Sequence, residues 1–294
     1  QRAKLWANRD VVPHVLVMTA TPIPRTLAMT AYGDLDVSVI DELPPNRKEV
    51  ETIHKYDKEM SQVLKFLYSE LEKSKQVYIV YPLIEESKVL DYKNLLAGYN
   101  QLKDVFHERG FKISMVHGRL KKDEKEKEML KFLNKETHVM IATTVIEVGV
   151  NVPNATIMVI QNAEKFGLSQ LHQLRGRVGR GSDKSYCFLL TSNKLTNDAK
   201  VRLKAMVDSS DGFNIAEIDL KLRGPGDVLG TRQSGLVNFK LVNIVKDHEI
   251  LKLARLEARD ILSQDFELSK SFNDPIKRYF TKYHFDLLKW GSVS

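Results

Sequence analysis

QLHQLRGRVGRG, residues 170–181, decides how the rest of the chain is read. It sets Gln173, Arg175, Arg177 and Arg180 in a helix-compatible run, with Gly176, Gly179 and Gly181 between them. As a helix this is costly. Glycines stand where apolar side chains are expected, and three guanidiniums repel one another. Such a cluster suits an anion. Guanidinium forks match phosphate oxygens, and an arginine at the edge of a nucleotide site neutralises the charge that develops as a γ-phosphoryl group leaves. A solvated basic helix is the bland alternative. The complete Gln-x-x-Gly-Arg-x-x-Arg pattern favours the phosphate reading.

Outward from this stretch, strands and helices alternate. Apolar or β-branched runs predict strands at 50–54, 76–84, 112–117, 139–143, 156–161 and 186–191, with helices at 57–73, around 95–106 and at 121–135. The pattern predicts a parallel sheet covered by helices on both faces. The run DEKEKE at 123–128 reads as a solvated helix face.

Before Pro44 and Pro45, residues 1–45 contain an apolar run, HVLVMT at 14–19, that reads as a buried strand, followed by the proline-shaped loop TATPIPRT. One strand and one helix close no core, so this segment calls for a larger partner lobe. Beyond residue 195 the alternation stops. Helices are predicted at 194–207, 215–222 and 247–264, with a bent, glycine-punctuated loop from Leu222 to Gly235. Tyr279, Phe280, Tyr283, Phe285 and Trp290 predict that the last segment docks. The division is therefore 1–45, 46–195 and 196–294.

The composition fits a globular chain of 294 residues, 43% hydrophobic and 28% charged. A net charge of +7 favours a polyanionic partner through counterion release. The single cysteine, Cys187, lies in an apolar run and reads as a buried thiol, which excludes an intrachain disulfide. The eight histidines have no metal-ligand spacing, and no long apolar span or leader is seen, so the expectation is a cytoplasmic protein with no membrane and no metal site of its own.

Four stretches, in order along nearly the whole chain, resemble the superfamily two helicases and translocases: TATP at 19–22, TTVIEVGVNVPNA at 143–155, QLHQLRGRVGRG at 170–181 and LRGPGDVLGTRQSG at 222–235. The last is similar to the translocation motif of the RecG-type branched-DNA helicases and of the transcription-repair coupling factors, and its TRQSG ending fits the RecG type better. The resemblance implies a RecA-like α/β fold, with 1–45 as the tail of a first motor lobe, 46–195 as the second lobe and 196–294 as a mainly helical translocation-motif region. It also implies an ATP-dependent translocase or helicase acting on branched double-stranded DNA, stalled forks and Holliday junctions in recombination and repair.

ATP and Mg2+ would be held mainly by the first lobe, since the chain has no phosphate loop and no Asp-Glu box precedes the TATP loop. Residues 1–294 alone are then expected to be inactive, with half of an ATP site. A single-strand-binding protein is a further partner the resemblance allows, and no oligomer is implied. Alternative readings are a coupling-factor-type translocase bound to stalled polymerase, or a non-catalytic DNA-binding or interaction module.

By the same resemblance Arg177 and Arg180 are finger-type arginines, Gln173 faces the nucleotide, and Arg175 faces either the surface or DNA. Glu147, Gly149 and Gly176 belong to the nucleotide-side motifs. Asn151 stands where the family usually has an aspartate that meets the nucleotide sugar. His117, Arg119, Thr143, Thr144, Arg223, Thr231, Arg232 and Gln233 are implied contacts to DNA or movers along it, and Thr19 and Thr21 belong to the coupling motif. This scheme expects Arg177 and Arg180 to face a cleft along the C-terminal rim of the sheet.

Overall fold

The computed structural model describes residues 16, 18, 38, 40, 48–82, 88–144, 151–228 and 247–291. They fall into two compact units, one carrying residues 48–228 and the other residues 247–291.

The first unit is a six-stranded sheet of β1 (Val50–Tyr56), β2 (Gln76–Val80), β3 (Ile113–Val116), β4 (Val139–Ala142), β5 (Ala155–Ile160) and β6 (Ser185–Thr191). The strand order is β1-β6-β5-β2-β4-β3, and every pair is parallel. A parallel sheet is stable when both faces are covered, and the central strands β2, β4 and β5 are buried along their whole length.

Helices α1 (Met60–Glu72) and α2 (Lys88–His107) cover one face, where Val63, Leu67, Leu71, Leu95, Leu102 and Phe106 meet Val77, Ile79, Ile141, Ile157 and Leu190. Helices α3 (Lys122–Leu133), α4 (Leu168–Arg175), α5 (Asn197–Asp208) and α6 (Gly212–Val228) cover the other. The doubly covered parallel sheet expected from the alternation is the one observed.

Leu203, Ala205, Met206 and Ile215 of α5 and α6 complete the core on their face. Three expectations change. The helix expected at 215–222 extends from Gly212 to Val228, through Gly224, Pro225 and Gly226, so the bent loop does not begin at Leu222. A proline inside a helix loses one backbone bond and strains the preceding turn. Leu16 and Met18, expected in a buried strand, are 81% and 83% exposed and lie in no strand. The described residues supply no neighbouring strand for them, and an isolated strand has neither ladder nor core. Last, α4 ends at Arg175, which leaves Arg177 and Arg180 on the turn beyond it.

The second unit contains α7 (His248–Gln264) and α8 (Asp274–Gly291). Their turn is closed by the Asp265 carboxylate, which accepts hydrogen bonds from the Ser269 and Lys270 backbone N–H groups and from the Ser269 and Asn273 side chains, all within 2.9 Å. These bonds, that from Asn273 foremost, hold its pKa below the usual carboxylate range. Tyr279 and Phe280, expected to dock, are 51% and 37% exposed. Two helices by themselves do not enclose an apolar face. Tyr283, Phe285 and Trp290 have side chains outside the described set.

Candidate nucleotide and nucleic-acid site

Helix α4 explains the arginine stretch. Leu168, Leu171 and Leu174 are buried, and Arg175, seven residues after Leu168, falls on the same inward stripe. The Gln170 side chain reaches back to accept from the Gly167 N–H at the helix start, 3.1 Å away. Gly176 is the C-terminal cap, so the glycines that would weaken a longer helix lie at or beyond its end.

Gly179 has φ +72°, and a Cβ there would sit 2.6 Å from a Val50 methyl carbon. The position demands glycine on both counts. At Gly181 a Cβ would lie 3.2 Å from the Pro153 carbonyl oxygen, which packs the arginine turn against the loop before β5. Gly176 differs: a Cβ would meet only carbonyl oxygens at 3.4 and 3.5 Å, so nothing in this chain requires a close backbone approach there.

Arg175 is neither surface nor DNA-facing. It is 5% exposed, and its Nη1 donates to the carbonyls of Met206 (2.9 Å) and Ser209 (2.8 Å) and to Thr52 Oγ1 (3.3 Å). Its Nη2 donates to Ser210 O (3.3 Å) and meets His172 Nδ1 at 3.2 Å. The guanidinium thereby satisfies carbonyls left open where α5 ends. Burial, reinforced by the Arg175 charge, pushes the His172 pKa down to about 4, so its ring is neutral and accepts from Arg175. A second tie joins Ser169 Oγ to Asp219 Oδ2 of α6 at 3.0 Å. The heptad spacing from Leu168 to Arg175 was a signal for this inward arginine.

Arg180 is exposed. Its Nε donates to Gly176 O (3.2 Å) and its Nη1 to Asn151 Oδ1 (3.3 Å). Arg177 is half-buried, and both arginine charges act on buried Tyr78 of β2, whose hydroxyl pKa burial still raises to about 12. Arg177, Arg180, Gly176 and Asn151 therefore form one cluster, with Gln173 half-buried on α4 beside them.

The cluster does not lie along the C-terminal rim, as expected, but beside the starts of the strands. Gly179 packs on Val50 and Ser185, the first residues of β1 and β6. Only a few residues separate the arginine turn from the start of β6, so the turn belongs at the edge where strands begin.

The other expected residues sit at the opposite edge. Thr143 and Thr144 follow β4, and His117 and Arg119 follow β3. Thr143 is 2% exposed, and its Oγ1 is buried without a hydrogen-bond partner. His117 is 6% exposed, and its Nδ1 accepts from the Arg119 backbone N–H at 3.2 Å, which shapes the turn. Its pKa is lowered by burial and by the Arg119 and Lys125 charges. Because β4 and β5 run parallel, the chain between Thr143 and Ala155 must travel from one edge to the other.

Thr19, Thr21, Glu147, Gly149, Thr231, Arg232 and Gln233 lie outside the described residues, as does the side chain of Arg223. Among the described residues no group of three His, Cys, Asp or Glu side chains could hold a metal ion, and no helix is long and apolar enough to cross a membrane. Cys187 is fully buried, with its thiol pushed up to about 12.

Residues 58–182 match the helicase conserved C-terminal domain, and residues 209–294 match domain 3, C-terminal, of the ATP-dependent DNA helicase RecG. ATP-dependent DNA helicase RecG of Synechocystis sp. is 55% identical over 90% of this chain, and that of Bacillus subtilis 48% over 90%. This chain belongs to the RecG family. It spans 32% and 38% of the lengths of those two relatives. A solved structure of RecG bound to a three-way DNA junction superposes with a TM-score of 0.62 at 45% identity, over 79% of this chain and 30% of that one. With the family go the superfamily two helicase fold of the sheet unit and a helical C-terminal region.

Proposed function

We propose that the protein carrying this chain couples ATP hydrolysis to translocation along double-stranded DNA and remodels branched DNA, stalled forks and Holliday junctions among them, in recombination and repair. The observation that carries the reading is the separation of two clusters on opposite edges of one sheet, joined by the segment 143–155. A motor needs such a connection, because nucleotide state at one place must alter grip at another.

In this reading residues 1–45 are the tail of a first motor lobe, 46–195 the second lobe and 196–294 the translocation-motif region, a division by role rather than by packing. The resident cofactor is ATP with Mg2+, held mainly by the first lobe. Two guanidiniums at one edge fit an anionic polyphosphate. When bound, ATP supplies a phosphoanhydride whose cleavage releases the free energy for movement.

Arg177 and Arg180 neutralise the charge that develops on the transferring phosphoryl group, and Gln173 faces the nucleotide from α4. Glu147, Gly149 and Asn151 carry that state toward Thr143, Thr144, His117 and Arg119, which hold backbone phosphates. Arg223, Thr231, Arg232 and Gln233 move with the DNA, and Thr19 and Thr21 couple the first lobe. Contacts fall on phosphates rather than base edges, because a motor works on any sequence. A single-strand-binding protein is a further partner in this scheme. The isolated chain, lacking the phosphate loop, is inactive.

The test compares ATPase of the intact protein on a three-way junction and on linear duplex of equal length. Stronger stimulation by the junction is expected. Equal or absent stimulation by both would overturn the branched-DNA assignment.

A further inference from the structure

Asn151 sits in a fixed piece of loop. Val152 beside it is 2% exposed, and the Asn154 side chain donates to Ser74 O (2.8 Å) and Gln76 Oε1 (3.2 Å). The Pro153 carbonyl packs on Gly181, while the Asn154 carbonyl accepts from the Gln76 N–H at 3.1 Å. Asn151 Oδ1 is thus an acceptor on a rigid platform, and the group it meets is Nη1 of Arg180.

The other end of the same guanidinium is held through Nε by Gly176 O, at the cap of α4. Two separate elements, the α4 terminus and the 151–154 loop, define the plane of one exposed guanidinium. A guanidinium held in plane from two sides is oriented for a phosphate.

We propose that Asn151 is a positioning residue for Arg180, acting on the reaction through the guanidinium rather than through the nucleotide sugar. This rests on the nucleotide reading of Arg180 given above. The two roles differ in what they predict. A sugar contact changes nucleotide affinity and depends on the sugar hydroxyls. A guanidinium contact changes turnover and depends on Arg180 being present.

The experiment is a double-mutant cycle in the intact protein, with DNA-stimulated ATPase measured for Asn151→Ala, Arg180→Ala and the pair, using ATP and 3′-deoxy-ATP. Loss of one charge-assisted hydrogen bond that orients a reacting group predicts that Asn151→Ala lowers kcat about tenfold with little change in KM. In the Arg180→Ala background the same substitution should change kcat less than about twofold. Asn151→Asp, which keeps an acceptor oxygen at the same reach, should recover most of the turnover. An equal drop in both backgrounds would overturn the proposal, since that is what a general loop defect gives. So would a rise in KM for ATP that is absent with 3′-deoxy-ATP, because it would assign Asn151 to the sugar. Near-normal turnover of Arg180→Ala alone would remove the nucleotide reading itself, a failure visible before Asn151 is considered.

Discussion

Replacing Arg175 with methionine separates a structural arginine from its two neighbours. Methionine keeps most of the aliphatic stem and removes the fork. The carbonyls of Met206 and Ser209 lose donors at 2.9 and 2.8 Å, and His172 Nδ1 loses one at 3.2 Å. Hydrogen bonds to a charged group are worth roughly 1.5–3 kcal/mol each, and a buried acceptor left open costs about 1–3 kcal/mol. Against this, the fold no longer desolvates a guanidinium, a relief of several kcal/mol. The balance is a destabilisation of about 3 kcal/mol.

Urea unfolding of the chain, followed by circular dichroism, reads the effect directly. With a slope of about 1–3 kcal/mol per molar urea, the midpoint should fall by roughly 1–3 M with the slope unchanged. Arg175→Lys, which keeps a charge but not the planar fork, should fall between. A change below about 0.5 kcal/mol in the methionine variant would refute the clamp, because surface substitutions are typically that small.

Gly179→Ala should destabilise by about 2 kcal/mol or more, from its left-handed backbone and the Val50 contact, whereas Gly176→Ala should be neutral within about 0.5 kcal/mol; the same unfolding assay ranks them. The His172 pKa is depressed from 6.5 to about 4, so its neutral form contributes stability that is fully present above pH 6.5 and is lost as pH falls toward 4. The loss should amount to roughly 2–3 kcal/mol. Thermal unfolding between pH 7 and 4.5 should therefore show a steeper decline for the native chain than for His172→Gln, and parallel curves would contradict this. Thr143→Val removes a buried hydroxyl that has no partner, so stability should rise by up to about 1 kcal/mol while affinity for duplex DNA falls; unchanged affinity would remove Thr143 from the DNA contact.

The sheet and its helices were legible because β-branched runs such as QVYIV and ATIMVI carry no polar face, a pattern that fits only a strand covered on both sides. Element ends were less legible. The extension of α6 through Gly224, Pro225 and Gly226 runs against local propensity and is decided by packing of the turns before it on the sheet.

At the candidate site, the placement of the three arginines was not legible. Arg175, Arg177 and Arg180 look alike in the sequence, yet helix phase turns the first into the core, and the end of α4 at Gly176 leaves the other two on a turn. The edge of the sheet they occupy follows from the few residues between the arginine turn and β6, a spacing already present in the sequence. The meeting of Asn151 with Arg180 joins positions 29 residues apart and needed the folded chain to be seen.

The most direct measurement is DNA-stimulated turnover of Arg177→Ala and Arg180→Ala in the intact protein at saturating ATP. Loss of a finger-type arginine predicts a fall on the order of a thousandfold in kcat, with folding and DNA affinity retained. Turnover within a few fold of the native value for both variants would contradict the assignment of this edge of the sheet to the nucleotide.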